Sequence, residues 1–166
     1  AIEDAATAKK NAIQSNDALT DEEKANAIAQ VDAAAQAAKD AIDQAADNEA
    51  VKAQKDSGVD AINAVNPSPV AKPAAKQAID EALKAKTDAI DANNDLTAEE
   101  KAQAKEDAKA KADAAKQAID NATTNDAVEQ AKANGTTEVK AVDPQPVAKT
   151  EAKKAIDEAL KAKNDE

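Results

Sequence analysis

Residues 96–122 read LTAEEKAQAKEDAKAKADAAKQAIDNA, and residues 19–45 read LTDEEKANAIAQVDAAAQAAKDAIDQA. Each stretch opens on a helix start signal. Thr97 with Glu100, and Thr20 with Glu23, make capping boxes: the hydroxyl accepts a backbone N–H while the Glu reaches back to the cap. Leu96 and Leu19 stand just before the cap, where a hydrophobic staple sits. No Gly or Pro follows within either stretch, and most residues lose little side-chain freedom in a helix. In the first stretch the apolar stripe is Ile28, Val31, Ala35, Ala38, Ile42 and Ala45. In the second it is Lys105, Ala108, Ala112, Ala115, Ile119 and Ala122. Spacings of three and four place each set on one helix face.

The two stretches lie 77 positions apart, and the offset holds throughout. It carries Ile2 to Ile79 and Ile156, Ile13 to Ile90, Val51 to Val128, Gly58 to Gly135, and Pro67 and Pro69 to Pro144 and Pro146. No gap is needed, and roughly half of the aligned positions are identical. A fixed period of this kind marks a repeat architecture. The chain is expected to be a piece of a longer array, since the opening of a third copy follows the second.

Around the quoted helices, the same reading places two more per copy. One begins near Pro69 or Pro146, because Pro is tolerated in a first helical turn. In the second copy it carries Ile79, Leu83 and Ile90 and ends at the polar loop Asn93–Asp95. The other follows Asp47 or Asn48, and Thr124 or Asn125, which are good caps. Its stripe is Val51, Lys55, Gly58, Ile62 and Val65, matched by Val128, Lys132, Gly135, Val139 and Val142. Each Gly is either a helix end or a helix interior. The stripe resumes in phase beyond it, which favours the interior and a close helix–helix approach.

Three helices joined by short loops pack up-down-up. The expected fold is therefore all-α: two tandem three-helix bundles, residues 1–66 and 67–143, then the first helix of a further repeat in 144–166. An odd number of passes puts the two chain ends at opposite poles, so copies join end to end as a rod. Helices of about 22–25 residues span roughly 33–38 Å. Large aliphatic residues are few, so each copy is expected to be marginally stable and helped by its neighbours. Local pairs such as Asp80 with Lys84 and Asp107 with Lys111 are expected to add a little.

Composition narrows function. Among 166 residues there is no aromatic residue, Cys, Met or His, every basic residue is Lys, and the net charge is −11. Excess acid interleaved with Lys argues against nucleic acid and anionic membrane as partners. No apolar run approaches the ~20 residues of a membrane span. Ser15, Ser57 and Ser68 have no His to activate them, and isolated Gly58 and Gly135 make no phosphate loop. No catalytic, cofactor-binding or metal-ligating residues are assigned, and no enzyme activity or cofactor is expected. Asp91–Asp95 resembles the start of a calcium loop, but Leu96 replaces the required Gly and Ala102 the closing Glu. Asn121-Ala122-Thr123 and Asn134-Gly135-Thr136 match the glycosylation pattern. Neither recurs in the first copy, so both are read as coincidence.

Three segments together resemble the repeats of domain-of-unknown-function family 1542: AKQAIDEALKAKTDAIDANNDLTAEEKAQAK, AKADAAKQAIDNATTNDAVEQAKANGTTEVKAV and the Pro-x-Pro-Val joint. Such repeats occur in tandem in large cell-wall-anchored surface proteins of Gram-positive bacteria. The resemblance covers essentially the whole chain. It implies an extracellular stalk that holds an adhesive head away from the wall, with signal and sorting segments lying outside this sequence. It brings no functional residue with it. The expected partners are adjacent repeats of the same chain, with no membrane insertion and the chain itself a monomer. Two other readings stand beside the stalk. One is a binding module for a host serum or matrix protein, which the lack of aromatic and Arg anchors disfavours. The other is weak homophilic association between cells.

Overall fold

The computed structural model describes residues 1–165. Among the described residues seven α-helices follow one another: α1 Ile2–Gln14, α2 Asp21–Asp43, α3 Asn48–Ala64, α4 Ala71–Ala92, α5 Ala98–Asn121, α6 Asn125–Lys140 and α7 Val147–Asn164. No strand occurs among the described residues. Both capping boxes form. The Thr20 hydroxyl accepts the Glu23 N–H and the Glu23 carboxylate accepts the Thr20 N–H; Thr97 and Glu100 repeat this. Asp47 caps α3 by accepting the Ala50 N–H at 2.8 Å. Helix ends use no left-handed residue among those described. α1 stops instead with Ser15 N–H on the Asn11 carbonyl and Asn16 N–H on that of Ile13.

Two compact units are present. The first comprises Ala1–Ala74 and Asp120–Val128; the second comprises Ala75–Ile119 and the described residues from Glu129 onward. In the first, α1, α2 and α3 each pack on the other two. Their shared interior is Ile2, Ala6, Ile13, Leu19, Ala27, Val31, Ala35, Ala38 and Ile62, flanked by Ile28, Ile42, Val59 and Val65. In the second, Ile79, Ala108, Ala112, Ala115, Ile119 and Val139 are buried, as is the cluster of Ile90, Leu96 and Ala104.

Both glycines lie inside helices, as the phase of the stripe indicated. A Cβ on Gly58 would stand under 3.0 Å from the Ala38 Cβ and 2.8 Å from Ile2 Cδ1. Gly135 meets Ala115 and Ile79 in the same way. One point per copy thus brings three helices together, with only hydrogen on one of them.

The structure differs from expectation in four places. The third helix of each copy is shorter than 22–25 residues, at 17 and 16, because a cap starts it late and Val-x-Pro ends it. The interior in the second turns of α2 and α5 belongs to Ala27 and Ala104, with Ile28 and Lys105 at its edge. A methyl fits where the helices approach; longer side chains flank them. Asp80 pairs with Lys116 of α5, and Lys111 with Glu138 of α6, in place of partners on their own helices. Close Ala-lined approach brings the neighbouring helix within reach of a lysine. Val51 is 38% exposed although its counterpart Val128 is 2% exposed.

Candidate interaction surface

The last difference leads to the most elaborate polar arrangement in the first unit. It starts from Glu23. One carboxylate oxygen completes the capping box on α2. The other accepts the N–H groups of Val70 and Ala71 at 2.9 and 3.0 Å, supplying acceptors for the unpaired donors that open α4. A single carboxylate therefore ties the start of its own helix to the start of α4, at backbone 47 residues away. Burial pushes the Glu23 carboxyl upward, but the N–H bonds from Thr20, Ala71 and Val70 outweigh it and hold it below the ordinary glutamate range. Glu100 repeats the device, accepting the Ala148 N–H at 2.9 Å, and its carboxyl is lowered by that bond and by Thr97.

Residues 120–128 seat against this corner. The Thr20 hydroxyl donates to Asn125 Oδ1 at 2.7 Å. The Asp21 N–H donates to the Thr123 carbonyl at 2.7 Å. The Asn125 N–H donates to Glu22 Oε2 at 2.9 Å, which is the first cause of a lowered Glu22 carboxyl. Lys72, 6% exposed, donates to the carbonyls of Asp17 and Asp120 at 2.8 and 2.7 Å. Thr20 is fully buried, Leu19 nearly so, and Ala122 and Val128 close the patch. Bonds at such geometry satisfy groups that would be costly if buried alone.

The features singled out in the sequence fall elsewhere. Asp91 is engaged by lysines: its carboxylate takes Lys105 and its carbonyl takes Lys101. Asn93 turns inward on its own loop, accepting the Asp95 N–H. Among the described residues no three His, Cys, Asp or Glu side chains gather as a metal site. The Ser15 hydroxyl donates to the Asn11 carbonyl, and Thr136 donates back into α6. A groove of about 550 Å³, open to solvent, runs along Glu100, Gln103, Asp107, Lys111 and Val142. No helix among those described is long and apolar enough to cross a membrane. The joint at Thr20, Glu22 and Lys72 was not foreseen. Its only sequence signal is that Thr-x-Glu-Glu and the Lys after the Pro-x-Pro segment recur in both copies.

The family described as Domain of Unknown Function (DUF1542) has a model that matches the chain twice, over residues 1–70 and 71–147. No curated protein and no solved structure matches.

Proposed function

The chain belongs to the DUF1542 family, and from that premise we propose that it is a non-catalytic spacer: two tandem three-helix bundles joined end to end in a stalk. In this reading the stalk is part of a cell-wall-anchored bacterial surface protein and carries an adhesive head outward. One observation carries the proposal, the gapless 77-residue repetition of caps, glycines and Pro-x-Pro segments. A repeat copied without a gap keeps its geometry from unit to unit, as a linear array requires. The mutual packing of α1, α2 and α3 supports three passes per copy, and three passes bring the chain out at the pole opposite its start.

Small-angle scattering tests the reading. A compact chain of this length has a radius of gyration of about 15 Å. Two bundles of roughly 35 Å set end to end exceed about 20 Å. A value near the compact figure sinks the stalk.

A further inference from the structure

Asn134 is followed by Gly135, and no other Asn in the chain precedes a glycine. Such a pair carries its own chemistry. The glycine nitrogen is not shielded by a neighbouring side chain and its backbone turns freely, so it can reach the carboxamide before it. The first copy has Ser57 ahead of Gly58, and a hydroxymethyl group offers no carbonyl to attack. The two copies therefore differ in chemical durability at equivalent positions.

The pair lies inside α6, with Asn134 exposed and Gly135 buried. In a helix the Gly135 N–H points at the carbonyl four residues back. The Asn134 side chain leans toward the helix N-terminus, away from that nitrogen. Helical backbone thus withholds the attack, but the hold is weak. Asn134, Gly135, Thr136 and Thr137 are four consecutive poor helix formers. The Thr136 hydroxyl donates to the Lys132 and Ala133 carbonyls at 2.6 and 3.0 Å, and that of Thr137 to the Ala133 carbonyl at 2.9 Å. Bonds of this kind compete for carbonyls that the helix ladder uses. Packing keeps the turn closed: Gly135 rests against Ala115 and Ile79 Cδ1, with no room for a Cβ.

We propose that Asn134 is a site of spontaneous modification, gated by local opening of α6. On opening, the Gly135 nitrogen loses its proton to solvent base and bonds to Asn134 Cγ. The bond from Cγ to the side-chain nitrogen breaks, and that nitrogen leaves as ammonia. Water then opens the five-membered imide at either carbonyl, giving aspartate or isoaspartate. The net change is one amide and one water converted to one carboxylate and one ammonium ion. In the isoaspartyl product the main chain runs through Cβ and Cγ, one atom longer than before. Gly135 then cannot return to Ala115 and Ile79 while Val128 and Val139 keep their buried places on the same helix. The second repeat carries an irreversible ageing point that the first lacks. This is separate from the stalk reading: a spacer that does not age at Asn134 is still a spacer.

The full chain is incubated in mildly alkaline buffer and in denaturing urea, and conversion is followed by mass spectrometry of the tryptic peptide 133–140. In urea Asn134 should convert ahead of every other Asn. In buffer its conversion should be slower by about 10- to 1,000-fold, the span of local opening in a folded helix. Thr137→Ala puts a better helix former at an exposed position and should slow conversion in buffer about two- to threefold, with no change in urea. The isoaspartyl form, separated by ion exchange, should melt at least about 5 °C below the parent. Asn134→Asp, which has the same charge on an unlengthened main chain, should melt close to the parent. Slowing outside the stated span, another Asn leading in urea, a Thr137→Ala chain that converts like the parent in buffer, or an isoaspartyl form that melts with Asn134→Asp overturns the proposal.

Discussion

At Gly58 the space for a methyl is already taken by Ala38, whose Cβ is fixed to the α2 backbone and cannot swing aside. Helix propensity alone would make Gly58→Ala stabilising by about 1 kcal/mol. The overlap decides the sign, since forcing atoms into a packed interior costs about 1–3 kcal/mol. Gly58→Ala is therefore expected to lower the urea midpoint. Adding Ala38→Gly should restore most of the loss, because the methyl merely changes sides. A stabilised single variant would show that the helices have room to separate. The same residue explains why alanine dominates both seams: one methyl from one helix fills the gap left by hydrogen on the next.

Among the elements, α2 and α4 are coupled through the Glu23 carboxylate, and the coupling makes stability depend on pH. Its folded pKa is depressed despite burial, as are those of Glu22 and Glu100. A group depressed on folding adds stability above its unfolded value, about 4.3 for Glu, and that contribution disappears as pH falls through the folded value. Urea unfolding should thus give a plateau above about pH 5.5 and a decline below about pH 4.5. Glu23→Gln should be less stable than the parent at pH 7 and should lose less between pH 7 and pH 3. Parallel curves for the two proteins would remove Glu23 from the account. The capping box was legible in Thr20 and Glu23, because its partners are three residues apart and the backbone geometry is local. The bonds to Val70, Ala71 and Asn125 were not, because they join groups 47 to 103 residues distant and nothing in helical periodicity encodes which end meets which loop. The same limit applies to Val51 and Val128. They share a place in the stripe, and only the residues that close over Val128 separate them.

For the molecule as a whole, the first unit takes in residues 120–128 of the second copy, so copies are not energetically independent. A chain of residues 1–77 lacks the cover over Leu19, Thr20 and Lys72. It should melt lower than the 166-residue chain by about 5 °C, the shift that a loss near 1 kcal/mol produces in a small domain. Equal melting temperatures would mean that the seated loop adds nothing. α7 buries none of its residues, with Ile156 67% exposed where Ile79 is fully covered; one helix cannot shield its own stripe. An interior assembled from Ala, Ile, Val and Leu in a chain without Cys, Met, Trp, Tyr or His has a chemical consequence. The sulfur side chains that peroxide and related oxidants attack first, turning apolar groups polar and loosening cores, do not occur in it. Oxidative bursts that scar ordinary proteins should leave this one unaltered in mass and in melting curve.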